Sequence, residues 1–123
     1  GLAMTAADLQ RALLVRAAFS GRMAALAADV DLLLMPAMPL SGPSLERIAA
    51  LLAVPGHRVR LQRYTAPFDM TGQPTTTLPG GFTAGGLPVG VQLAAGAFRE
   101  ALLVRAGRAF QRETDWHRRR PRV

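Results

Sequence analysis

The sequence predicts an α/β fold, with helices packed on a mixed β-sheet. Three observations carry that prediction. Two long alanine-rich segments, one near each end, place apolar residues at helical spacing. Three short apolar runs between them suit strands. Proline and glycine clusters punctuate the joins.

The first helix is expected over 5–29. Thr5 precedes Asp8 by three positions, a cap followed by an acid in the first turn. Leu9, Ala12, Leu13, Phe19, Met23, Leu26, Ala27 and Val30 supply the apolar stripe, and Arg11, Arg22 and Asp29 suit the outer face. Arg16 falls near the stripe, so it either snorkels or meets a carboxylate. The run from Asp31 to Met35 shows no alternation and reads as a strand over 32–35, buried on both faces. Residues 36–63 then read as a proline- and glycine-containing connection with one short helix over 45–54, capped by Ser44. His57, Arg58 and Arg60 continue it as a polar link. His57 has no acidic or second histidine neighbour, so no metal or catalytic role is assigned to it.

Residues 64–93 carry the densest punctuation and organise the rest. They read as a kinked entry, a strand over 75–78, a glycine-rich turn and a return strand over 87–93. Pro74, Pro79 and Pro88 belong at strand ends, edges or bulges, because proline has no N–H for a ladder. Ala84, Gly85 and Gly86 supply the positive φ of a tight reversal. Gly90, inside the return strand, marks a bulge or a close backbone approach. Thr75, Thr76 and Thr77 are β-branched strand filler rather than nucleophiles. The last helix is expected over 97–115, burying Phe98, Leu102, Leu103, Ala106, Ala109 and Phe110, with Trp116 anchoring its end.

Composition narrows the function. The chain has 123 residues, a single domain or part of one, and half of them are apolar. It has no cysteine, which removes disulfides, thiol nucleophiles and thiolate metal sites. No run reaches the roughly 18 apolar residues of a membrane-spanning helix. A signal-peptide pattern is missing from the start of the sequence, so the location is read as cytoplasmic. The net charge is +7, and all fifteen basic residues are arginine. They are spread along the chain except in the tail, and exposed aromatics are not interleaved with them, so nucleic acid is not the favoured partner. No cofactor or metal is called for.

The 64–93 stretch strongly resembles the C-terminal signature of the amidase signature family, T-x-P-F-N-x-x-G-x-P…P-x-G…G-L-P-x-G-x-Q. Its counterparts here are Thr65-Ala66-Pro67-Phe68-Asp69, Gly72-Gln73-Pro74, Pro79-Gly80-Gly81 and Gly86 through Gln92. Asp69 stands where the family usually has asparagine. The 31–36 run is similar to the family's D-x-L-L-x-P strand, and Thr114 through His117 to its T-x-W-H close. The resemblance covers nearly all of this sequence but only the last quarter or third of a usual family chain.

It implies the C-terminal part of an α/β/α sandwich in a hydrolase of carboxylic amide C–N bonds. Family members use a nucleophilic serine, a bridging serine in a cis peptide bond and a lysine base. None of that triad is expected here: lysine is absent, and Ser20, Ser41 and Ser44 lie in a helix, a loop and a cap. The catalytic residues of this chain are therefore none. By the same resemblance, Tyr64, Thr65 and Phe68 are candidates to line the substrate channel, two rings for apolar area and hydroxyls for orientation. In the family's tRNA-dependent amidotransferases an acid three residues before this threonine holds glutamine; Gln62 stands there. The implied partner is a small amide substrate, once the N-terminal portion completes the site. The alternative is a non-catalytic remnant or interaction module, associating with itself or a partner chain through exposed sheet surface.

Overall fold

The computed structural model describes residues 3–120. In chain order they form α1 (Ala6–Ala28), β1 (Leu33–Pro36), α2 (Leu45–Leu52), α3 (His57–Leu61), α4 (Ala66–Thr71), β2 (Thr75–Phe82), β3 (Pro88–Ala94) and α5 (Glu100–Glu113), then a single 3-10 turn (Trp116–Arg118).

The start of α1 follows from its first residues. The Asp8 N–H donates to Thr5 Oγ1 at 3.1 Å, and the Thr5 N–H donates back to the Asp8 carboxylate at 3.2 Å. Two otherwise unpaired donors are thereby satisfied. Only part of the expected stripe is engaged: Ala27 is buried, Phe19 and Met23 are half-buried, and Leu9, Leu13, Leu26 and Val30 are exposed. Arg16 finds a carbonyl rather than a carboxylate, its Nε donating to Met70 O at 2.7 Å. Met70 lies in the last turn of α4, whose carbonyls lack partners within the helix.

Two short helices depart from the sequence reading. Residues 57–61 form α3 where a polar link was expected, so the 36–63 connection holds two helices, not one. Residues 66–71 form α4 where a kinked entry was expected. Pro67 suits the first turn of a helix, and Gly72 ends it at φ 73, its N–H donating to Phe68 O at 2.8 Å.

The sheet order is β1-β3-β2. A mixed sheet was expected; both pairings in this segment are antiparallel. The short reversal between β2 and β3 makes them a hairpin, and β1 adds to the free side of β3. β2 runs past the expected end because Pro79 and the glycines do not stop it. Pro79 pairs with Gly90 on an edge strand, where its missing N–H is tolerated, and a bulge between Pro79 and Gly81 absorbs Gly80. A Cβ on Gly80 would lie 2.5 Å from Val91 Cγ1. Gly90 is a close backbone approach: a Cβ there would lie 3.0 Å from Ala37 Cβ, and its carbonyl accepts from the Ala37 N–H at 3.0 Å. At the reversal the positive φ belongs to Gly86, at 79°, and not to Gly85.

Register assigns the layers. Met35, Gln92 and Thr77 pair across the sheet and share one face; Pro36, Val91 and Leu78 share the other. On the Leu78 face α5 packs close, since a Cβ on Gly107 would stand 3.6 Å from Leu78 Cδ2. Over the Gln92 face lies the Tyr64 backbone. Helix α5 thus covers one face of the sheet and the turn between α3 and α4 reaches the other, with Phe68, Leu78, Ala94, Ala95 and Leu103 buried.

The 32–35 run is not buried on both faces: Leu34 is 71 % exposed. α5 lies over β2, at the far edge from β1, so its cover stops short of Leu34. Phe98 also departs from expectation. It sits before α5 rather than in its buried stripe, at φ 62 and 94 % exposed. A turn closed by the Arg99 N–H on Gly96 O at 3.2 Å delays the helix to Glu100. Trp116 does anchor the end of α5, its ring 5.7 Å from that of Phe110 and beside Gly81 of β2.

Candidate functional site

The segment singled out by sequence begins at the C-terminal end of α3 and runs into α4. Its shape is set locally. Tyr64 lies within a tight turn in which the Thr65 N–H donates to Gln62 O at 3.0 Å and the Ala66 N–H to the same carbonyl at 2.8 Å. The Thr65 carbonyl then accepts from Phe68 N–H at 3.0 Å, opening α4. The Thr65 hydroxyl is also turned toward Gln62 O, at 3.4 Å, and does not cap the helix.

Tertiary contact fixes the segment against the sheet. Gln92, on central strand β3, is 2 % exposed. Its Nε2 donates to Tyr64 O at 3.0 Å and lies 3.8 Å from Met35 Sδ. A buried amide is tolerated only when it finds such partners. One side chain therefore joins β1, β3 and the Tyr64 backbone. Sequence reasoning placed Gln92 in the family motif without giving it this task. The available signal was a lone amide inside an otherwise apolar strand.

The three candidate side chains are placed differently. Phe68 is buried in the core at 6 % exposed. Tyr64 and Thr65 are half-buried, with the Arg63 guanidinium 6.0 Å from the Tyr64 ring centre. Asp69 is exposed on α4, and Gln62 is exposed beside the turn. The structure thus leaves Tyr64 and Thr65 partly open to solvent and buries Phe68 in the core.

Two concave surfaces lie nearby. A cleft of about 310 Å³ runs between the 37–43 loop, Ile48 and the start of β3. A groove of about 220 Å³ lies between α2 and α3. Neither is lined by Tyr64, Thr65 or Phe68. The serines are not arranged as nucleophiles: Ser20 is in α1, and Ser44 accepts the Arg47 N–H at 3.2 Å as the cap of α2. With no lysine in the chain, no base stands beside them. Among the described residues no helix is long and apolar enough to cross a membrane.

Comparison with known proteins gives a consistent picture. The Amidase family matches residues 2–104. "Putative amidase AmiD" of Mycobacterium tuberculosis is 50 % identical over 95 residues, covering 77 % of this chain and 20 % of its own length. The glutamyl-tRNA(Gln) amidotransferase A chain of Neisseria meningitidis is 39 % identical over 94 residues, covering 76 % and 19 %. The chain thus spans about a fifth of the length of these curated relatives. Among solved structures, 6-aminohexanoate cyclic dimer hydrolase superposes with a TM-score of 0.79 at 27 % identity, over 97 % of this chain and 27 % of that one. The corresponding glutamyl-tRNA(Gln) amidotransferase chain of Thermotoga maritima gives 0.76 at 26 %, over 88 % and 23 %.

Proposed function

The chain belongs to the amidase family, and from that premise we propose that it forms the C-terminal portion of a hydrolase acting on a carboxylic amide C–N bond. In this reading it supplies sheet core and part of the substrate channel. The serine nucleophile, bridging serine and lysine base belong to the remainder of an amidase-length protein. There the serine oxygen attacks the amide carbonyl carbon, the C–N bond breaks as the amine takes up a proton, and water then releases the acid. Backbone N–H groups of that portion would meet the oxyanion.

The observation that carries the role of this chain is the Gln92 contact. A buried amide on the central strand holds the backbone at Tyr64, and Tyr64 and Thr65 remain partly open to solvent. A channel wall needs that combination of rigid support and accessible side chains. Tyr64 and Thr65 would face the acyl part of the substrate, and Phe68 would back them from the core.

The test is a chimera in which this chain replaces the matching fifth of AmiD. It is assayed by ammonia release from an amide that unmodified AmiD hydrolyses. The chimera should turn over, and the isolated chain should release no ammonia above blank. A folded but inactive chimera would overturn the wall role, and hydrolysis by the isolated chain would overturn the placement of the triad elsewhere. A second reading, a non-catalytic interaction module, is favoured by one feature: Leu14, Val15 and Leu34 stand 59 %, 66 % and 71 % exposed. Self-association of the isolated chain by sedimentation, with no activity in the chimera, would select it.

A further inference from the structure

The cleft between the 37–43 loop, Ile48 and the start of β3 lies on the same face of the sheet as Tyr64. Directions alternate along a strand, so Pro88, Gly90 and Gln92 share one face of β3. Gly90 agrees with this: a Cβ there would stand 3.4 Å from Thr77 Cγ2, and Thr77 pairs with Gln92. Gly90 is two residues, roughly 7 Å, along the strand from Gln92. The cleft therefore begins one pleat away from the amide that holds Tyr64 O.

The loop that walls it is tied to β3 at both ends. The Ala37 N–H donates to Gly90 O at 3.0 Å. Gly42, at φ 56, lies so close to Leu87 that a Cβ there would overlap that side chain. The lining is apolar: Met38, Leu40, Pro43, Ile48, Pro88 and Val89 contribute, Ser41 carries its one polar side chain, and no charged residue takes part. At about 310 Å³ the cleft reaches the usual size of a small-ligand site. Such a surface gains from burying hydrocarbon and rejects a charge, which would lose water without finding a partner. We propose that this cleft receives the tail of the acyl group, so that the substrate is the amide of an uncharged aliphatic acid. This rests on the amide-hydrolysis reading and narrows its substrate class. The amide group stays beside Tyr64 and Thr65, while the tail runs over Gly90 toward Ile48 and Val89, which set the accepted length.

The experiment titrates the ¹⁵N-labelled chain with hexanamide, acetamide and succinamate, the last carrying a carboxylate on its tail. Hexanamide should shift the amide signals of Met38, Ile48, Val89 and Gly90 saturably, at least about tenfold more tightly than either of the others. Ile48→Trp should fill the cleft and remove that preference, with melting unchanged. If this variant does not fold, the ratios on the parent chain still decide. Equal binding of the three amides, shifts centred elsewhere, or no saturable shift overturns the proposal. Ammonia release by the AmiD chimera then separates the two readings. A kcat/KM for hexanamide about tenfold above that for acetamide, lost in Ile48→Trp while acetamide turnover persists, is the expected result. A chimera that hydrolyses acetamide as well as hexanamide overturns the tail assignment and leaves the amidase reading standing. Saturable hexanamide binding at the cleft beside a folded chimera that hydrolyses no amide does the reverse: the cleft remains a binding site for apolar tails, and the amidase reading fails.

Discussion

Replacing Gln92 by alanine should loosen the whole arrangement from one position. The side chain is 2 % exposed and gives its Nε2 to Tyr64 O at 3.0 Å. Losing that bond removes about 1 kcal/mol net, and the half-buried carbonyl left without its donor adds about 1 more. The missing methylene adds about 0.8 kcal/mol of lost burial. The sum, about 3 kcal/mol, is a large share of the roughly 5–15 kcal/mol of a domain this size. At roughly 3–5 °C per kcal/mol, melting should fall by about 10 °C. Thermal melting followed by far-UV circular dichroism reads it. Gln92→Glu sharpens the test. Burial and the facing Tyr64 oxygen should raise the new carboxyl's pKa above the usual value of about 4.3. Its protonated form can donate to that oxygen, so its contribution is full below the unfolded value and lost as pH rises through the folded one. Relative to the parent, the glutamate variant should be nearly normal near pH 4 and weakest at neutral pH, whereas the alanine variant should show the same deficit at both. A parent-like alanine variant, or a pH-independent glutamate variant, would refute the reasoning.

Other expectations follow from single contacts. Gly86→Val should cost about 1–2 kcal/mol because φ there is 79°, whereas Gly85→Val should be near neutral in the same denaturant titration. Gly80→Ala should destabilise by about 1–3 kcal/mol, since its Cβ would press Val91 Cγ1 from 2.5 Å; its midpoint against that of Gly85→Val checks the bulge. Leu34→Asp should change the stability of this chain by less than about 0.5 kcal/mol, because the side chain is 71 % exposed. Leu33→Asp, on the more covered side of β1, should cost distinctly more; equal effects would show that the two faces of β1 are not different. The Thr5 hydroxyl, and then its N–H, hold the Asp8 carboxyl below its ordinary range. The cap's stabilisation is therefore present above that range and lost as pH falls through the lowered value. Thr5→Ala should remove this acid-side loss, read as the difference in helical ellipticity between neutral and acid pH.

Much of this chain follows from local chemistry that a sequence displays. The Thr5–Asp8 cap, the Ser44 cap, the Trp116 anchor and the close approach at Gly90 depend on residue type at fixed spacing, and those features formed as read. The α4 helix was equally legible in principle, through Pro67 at its start and Gly72 at its end. Density of glycine and proline across 64–93 drew the reading toward strand and turn instead. The motif residues Thr65 through Gln92 also carried the family, because a pattern that fixes many positions is specific whatever the three-dimensional arrangement.

Tertiary structure decided what depends on partners distant in sequence. Periodicity reports that Leu34 and Leu9 are apolar, but only the placement of α5 over β2 and of α1 against α4 determines that both stay exposed. The same holds for Arg16, whose choice of Met70 O over a carboxylate required α4 to end beside it, 54 positions away. Gln92 is the clearest instance. Composition marks it as an amide in an apolar strand, while its task comes from a carbonyl 28 residues earlier that the fold brings to 3.0 Å. A buried polar group must find a partner, and which partner it finds is settled by packing rather than by the residues on either side of it.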